Sequence, residues 1–176
     1  MRLGESDDGL GGSEYLKVMH GVIRGIPPAL DLAREAALQR LLVEGAAKGL
    51  IRSAHDCAEG GLAVTLAECC FDTAFGADTD VAEVSAEAAF EDIATLFGES
   101  ASRVVVSVAA NRTAELVALA SAAAVPATPI GRVGGDRIRI SIACRRVLAE
   151  PVVVAERIWS TAVERYFEPN RSLPFP

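Results

Sequence analysis

Apolar and polar positions alternate in two periods along this chain, and the switches between them mark its elements. Residues 13–19 follow a glycine-rich opening and predict a short helix with Ser13 as its cap. Asp31 predicts the cap of a better helix, in which Leu38, Leu41 and Leu42 form an apolar stripe and Gly49 is the stop. Leu50-Ile51 is a short apolar run, followed by a turn. A helix opening at Leu62 then places Leu62, Ala63, Leu66, Ala67 and Cys70 on one face. A strand is expected over residues 82–85. Phe90, Ile93 and Phe97, spaced i, i+3, i+7, predict a helix ended by Gly98.

The β-branched run Val104 to Val108 reads as a buried strand, and Asn111 as the cap of an alanine-rich helix reaching about Ala123. Two apolar stretches, 128–133 and Ile138-Ile140-Ile142, flank Gly134-Gly135-Asp136 and predict a hairpin. Its second strand carries Arg139 and Ser141 on a polar face. Pro151 opens a last helix with Ala155, Ile158, Trp159, Ala162 and Tyr166, and residues 169–176 form an extended tail. Helices alternate with strands but a hairpin is mixed in, so the expected class is α+β, a mixed β-sheet packed with helices. The domain is expected to span residues 1–168.

Composition narrows the function classes. Half of the 176 residues are apolar, enough for a sizeable core. A net charge of −7 with scattered basic residues argues against nucleic acid and against anionic membrane surfaces as partners. Four cysteines lack metal spacing, only His20 and His55 could assist them, and no metal site is expected. Neither a signal peptide nor a spanning segment is read, so the expected location is cytoplasmic.

The densest chemistry lies in Ser53-Ala54-His55-Asp56-Cys57-Ala58-Glu59-Gly60-Gly61-Leu62. A histidine beside a carboxylate can act as a base or a ligand. The same residues also suit a hydrogen-bonded turn in which Asp56 or Glu59 caps the next helix, and spacing alone favours that structural role. Gly60 and Gly61 permit a tight reversal, and a helix start behind them offers N–H groups to an anion. Gly11-Gly12-Ser13-Glu14 repeats that logic more weakly. In Gly98-Glu99-Ser100-Ala101-Ser102-Arg103, the residues Glu99, Ser100 and Arg103 could converge on a polar ligand, or tie the loop internally. Neither dinucleotide nor P-loop glycine pattern occurs. No catalytic residue is assigned.

The order of four motifs carries a resemblance. Leu10-Gly11-Gly12-Ser13-Glu14-Tyr15, the decapeptide at 53–62, Leu96-Phe97-Gly98-Glu99-Ser100 and Ile130-Gly131-Arg132-Val133-Gly134-Gly135 together resemble the C-terminal end of phosphoribosylformylglycinamidine synthase. The wider superfamily also holds aminoimidazole ribonucleotide synthetase, selenophosphate synthetase and thiamine-monophosphate kinase. The resemblance implies an α+β domain of a purine-biosynthetic ligase. The complete enzyme would use ATP, Mg2+ and glutamine-derived ammonia to make an amidine. The resemblance places the catalytic histidine and magnesium ligands in other domains, so this chain alone would bind no cofactor and be inactive. Its expected partners are the remaining synthetase domains, with the glutaminase and small accessory subunits as further candidates, and the isolated chain would self-associate. In the first-half counterpart a Glu-Ser-Gln run holds substrate. Here Glu99-Ser100-Ala101 lacks the amide. His55, Asp56, Gly60, Gly61, Glu99, Ser100 and Arg103 thus stand as candidates for a cleft shared with a neighbour. The rival readings are a stand-alone phosphate-, nucleotide- or partner-binding module and another enzyme of the superfamily.

Overall fold

The computed structural model describes residues 1–5, 9–73, 75–82 and 91–167. In chain order the elements are β1 (Arg2–Leu3), α1 (Glu14–His20), α2 (Leu32–Ala47), β2 (Ile51–Asp56), α3 (Gly61–Glu68), β3 (Ala77–Val81), α4 (Glu91–Phe97) and β4 (Val104–Val108). They continue with α5 (Thr113–Ala122), β5 (Ala127–Thr128), β6 (Gly131–Val133), β7 (Arg137–Ile142), β8 (Arg145–Pro151), α6 (Val152–Ser160) and α7 (Ala162–Phe167). The described residues form two four-stranded sheets, in the orders β2-β4-β1-β5 and β6-β3-β7-β8. The first is antiparallel, whereas the second is mixed because β3 runs parallel to β7. The α+β expectation holds.

Strand β4 explains how the layers stack. Its side chains alternate between faces, so Val104 and Val106 join one core with Leu38, Leu41 and Leu116 from α2 and α5. Val105 points the other way, into a second core with Leu62 and Leu66 of α3 and Ile138, Ile140 and Ile142 of β7. Helix α3 therefore shares one core with both sheets. Leu62 is fully buried, and burial of such a side chain stabilises the fold by roughly 1.5–3 kcal/mol.

Ser13 and Asp31 cap α1 and α2 as their positions predict, each accepting a backbone N–H of its first turn. Several readings of the sequence need correction. His55 and Asp56 end strand β2 rather than sit in a turn, because β2 stays paired with β4 as far as Asp56↔Val104, and α3 opens at Gly61, one residue earlier than expected. Strand β3 ends at Val81 and Ala82 lies outside it, while residues 83–85 of the predicted strand and Phe90 lie outside the described residues. Asn111 caps nothing with its side chain. It lies within a 3-10 turn (Ala110–Arg112), and the Arg112 guanidinium fastens that turn to the carbonyls of Lys48 and Gly49.

The expected hairpin between β6 and β7 does not form, because β3 lies between them. Gly76, just before β3, exchanges hydrogen bonds with Gly134 and Gly135, and a Cβ there would sit 2.1 Å from the Arg137 carbonyl oxygen. A hydrogen at this position is what lets β3 enter. The true hairpin is β7–β8, turning through Ala143 and Cys144 at φ +46° and +66°. Ser141 is buried, next to a register irregularity between Ile140 and Ser141, while Arg139 stays half-buried. The last helix is broken at Thr161, whose hydroxyl donates to Arg157 O at 2.7 Å. Residues 169–176 lie outside the described residues.

Candidate functional site

Three of the four motifs meet at one carboxylate. Glu99 follows α4, and its Oε1 accepts the Gly60 N–H at 2.8 Å and the Glu14 N–H at 3.0 Å. One side chain thus holds the end of the decapeptide and the first residue of α1. Ser13 completes the α1 terminus, donating to Leu10 O at 2.7 Å. Tyr15 stacks on Phe97 with ring centroids 5.1 Å apart, so apolar contact reinforces the polar tie.

The glycine pair is shaped for this junction. Gly60 and Gly61 adopt φ of +79° and +66°. A Cβ on Gly61 would lie 2.7 Å from Gly98 O and 2.9 Å from Leu96 O, so α3 can start here only if that residue has no side chain. The Gly61 N–H bonds to Ala58 O. The amide of the turn best placed for an anion is therefore already held by the chain's own carboxylate.

Arg103 is 2% exposed and works on the same loop from below. Its guanidinium donates to Gly98 O at 2.5 Å and to Ser100 O at 3.0 Å, and its own carbonyl accepts the Cys57 N–H at 2.9 Å. Ser100 is buried beside it. A buried guanidinium is tolerated only with partners such as these carbonyls. Cys57 is enclosed too, and burial pushes its thiol up despite the nearby Arg103.

His55 and Asp56 stand apart from the Glu99 junction. The Nδ1 of His55 is 2.9 Å from Asp56 O, and Nε2 is 3.3 Å from Glu68 Oε2. The Asp56 side chain is largely exposed, while its carbonyl also accepts the Thr65 hydroxyl at 3.1 Å. The structure therefore joins Gly60, Gly61, Glu99, Ser100 and Arg103 in one cluster and leaves His55 and Asp56 in another. Sequence reasoning did not single out Glu68, and it quoted Glu14 and Ser102 within motifs without giving either side chain a partner. Ser102 donates to Glu35 Oε2 at 2.7 Å, and that bond, followed by the one from Gln39, holds the Glu35 carboxyl below its ordinary value. Apart from the i,i+4 pair Glu35–Gln39 on α2, these pairings have no sequence spacing that announces them.

Two surface depressions of about 130 and 160 Å³ meet at Glu5, Arg34, Ala101 and Ser102. Each is smaller than the roughly 300–1,000 Å³ of ordinary small-molecule sites. Only Ser100 among the candidates lines either one. Among the described residues, no group of three or more His, Cys, Asp or Glu side chains is placed to hold a metal ion. In the same residues no helix is long and apolar enough to cross a membrane.

Comparison with known proteins gives the family and the fold. Residues 1–143 match the family model described as AIR synthase related protein, C-terminal domain. The chain is 41% identical over 154 residues to phosphoribosylformylglycinamidine synthase subunit PurL of Thermomicrobium roseum, covering 88% of this chain and 20% of that protein. It is 44% identical over 140 residues to the subunit of the same name from Moorella thermoacetica, covering 80% of this chain and 18% of the relative. The chain thus spans about a fifth of the length of these curated relatives. Among solved structures, T. maritima PurL complexed with FGAR shares the fold with a TM-score of 0.73 at 21% identity, over 88% of this chain and 27% of that one.

Proposed function

The chain belongs to the AIR synthase related family as a C-terminal domain, and from that premise we propose that it serves as the last domain of a phosphoribosylformylglycinamidine synthase. The complete cytoplasmic enzyme would convert formylglycinamide ribonucleotide to its amidine, with ATP activating the amide oxygen and glutamine-derived ammonia displacing phosphate. This domain would be structural there and inactive alone. The observation that carries the reading is the Glu99 carboxylate seated on the Gly60 and Glu14 amides, which leaves the turn satisfied from within. Support for the parent enzyme comes from relatives 41–44% identical that bear that name.

The metal of the complete enzyme would be held in the other domains, as membership of the family implies. ATP is likewise assigned to the other domains; the solved T. maritima PurL complexed with ATP shares this fold at 18% identity. Partners would be those remaining domains. A strip of exposed apolar residues, including Ile23 at 83%, Ile26 at 89% and Leu32 at 73%, offers them a face and would drive self-association of the isolated chain. The glutaminase and small accessory subunits are further candidates, given that PurLQS from Thermotoga maritima contains the same fold.

Complementation tests the reading. A synthetase truncated before this domain is mixed with the chain, and ATP-dependent amidine formation is followed. Activity only in the mixture is the expected result. Activity of the truncated synthetase by itself would end the structural role. Specific ATP or phosphate binding by the chain alone, abolished in Arg103→Ala, would favour the binding module instead.

A further inference from the structure

Helix α6 rests on the body through a narrow stripe. Val152, Ala155, Glu156 and Trp159 recur at i, i+3, i+4 and i+7, the spacing of one helical face. Only Val152 is fully buried, and Ala155 packs on the core beside it. The rest of the stripe docks by polar contacts: Glu156 Oε1 accepts the Asp72 N–H at 3.2 Å, and Trp159 Nε1–H donates to Glu68 Oε1 at 3.1 Å. Phe71 lies 5.3 Å from the indole, centroid to centroid. Val153, Ile158 and Trp159 all remain more than half exposed. An element with so little buried apolar surface belongs to the low-stability end of a fold.

Glu68 is the centre of this docking, and it has two customers. Its Oε1 receives Trp159, and its Oε2 faces His55 Nε2 at 3.3 Å. The other ring nitrogen of His55, Nδ1, faces the Asp56 carbonyl at 2.9 Å. Both nitrogens therefore point at oxygens that can only accept or are negatively charged. Both contacts are hydrogen bonds only when the ring carries both protons. From this arrangement we propose that Glu68 is a proton-gated latch: doubly protonated His55 fixes its carboxylate in the orientation that receives Trp159, and loss of one proton leaves a single ring N–H for two acceptors, which frees Glu68 whenever Asp56 O takes it and so loosens α6 from α3.

Among the described residues, charged groups reach the latch from several elements, and the Met1 ammonium also lies near Cys69. Asp56 approaches His55 from β2, its Oδ1 being 3.7 Å from Nδ1. Glu68 comes from α3. Cys69 adjoins it, and burial around its sulfur, with Cys70 and Cys57 nearby, pushes that thiol up to about 11, so it stays neutral throughout the range in which histidine changes charge. Glu156 of α6 is engaged with Asp72. Opening α6 would uncover Phe71 and the covered side of the indole, enlarging the exposed apolar face at the higher pH.

Trp159 is the one tryptophan of the sequence, so its fluorescence reads the latch directly. Acrylamide quenching of the full chain is measured from about pH 5 to 8, the span of histidine titration. Quenching is expected to rise with pH, and His55→Gln is expected to remove that dependence. Amide exchange along α6, with α5 as internal reference, is expected to rise roughly ten-fold in Glu68→Ala, the effect of losing a hydrogen bond to a charged group. Adding His55→Gln to Glu68→Ala should change nothing further, with far-UV circular dichroism confirming that both variants fold. Quenching that is flat with pH would overturn the proposal. So would an equal pH dependence in His55→Gln, or α6 exchange that follows α5 in Glu68→Ala.

Discussion

The two ends of α3 are each held by a carboxylate, and they are held differently. At its start Glu99 accepts two backbone amides, from Gly60 and Glu14, on one oxygen. At its end Glu68 faces two side chains, His55 and Trp159, each on its own oxygen. Backbone donors are placed by the fold itself, so accepting them orders little besides Glu99. Side-chain donors bring rotamer freedom that must be lost as well, up to ~2 kcal/mol for long side chains. The first junction is therefore permanent and the second conditional, although both use the same chemical group.

That contrast can be broken most severely at the start of α3. Gly61→Ala should cost about 3 kcal/mol or more, because it combines a left-handed φ with overlap against the 96–98 backbone. Urea unfolding would register it as a lowered midpoint, and a loss below 1 kcal/mol, on the order of ordinary surface changes, would mean that the junction relaxes freely. Next, Glu99→Ala should cost about 2 kcal/mol by removing an ionised acceptor from two amides. Glu99→Gln keeps a carbonyl there and should lose roughly half as much.

Trp159→Phe sharpens the other side. It keeps an aromatic ring near Phe71 but removes the donor to Glu68, so the change should be about 1 kcal/mol and local to α6 in amide exchange. If global unfolding shifted as much as in Glu99→Ala, the two junctions would be equivalent and the distinction lost. The smallest effect concerns Glu35, a third carboxylate held by side chains. Its folded value lies below the ordinary 4.5 because Ser102, then Gln39, hydrogen-bond the charged form. Its stabilising contribution is thus complete above that pH and disappears as pH falls through the folded value. Unfolding free energies between about pH 3 and 7 should lose a small part of their acid dependence in Glu35→Gln.

Much of this architecture could be read in advance, and the parts that could not share a cause. Ser13, Asp31 and the β4 valines act locally, through caps and a buried run, and their signals lie within a few residues. Strand β3 was hidden because Asp78 and Asp80 resemble turn residues. Their partners, Arg146 and the Cys144 amide, arrive more than sixty residues later. The Gly134-Gly135 hairpin misled for the same reason: its glycines serve a strand from elsewhere. At the candidate site, Glu99 and Arg103 were visible as chemistry, but their partners are backbone amides and carbonyls, which no side-chain pattern encodes. The bridge from Glu68 to His55 and Trp159 joins three elements and left no trace in spacing.

The position of β3 also bears on how the chain is made. Its neighbours β6 and β7 follow it by more than fifty residues, so as the chain leaves the ribosome the 77–81 segment waits for both. Contacts of such long range close slowly, because the intervening loop must first be brought together. Through that interval the side chains of Thr79 and Val81, later enclosed, face solvent beside an unpaired backbone. Synthesis and refolding thus share one vulnerable window. Its length is set by the distance along the chain from Ala77 to Ile142, and refolding yield should fall as protein concentration rises.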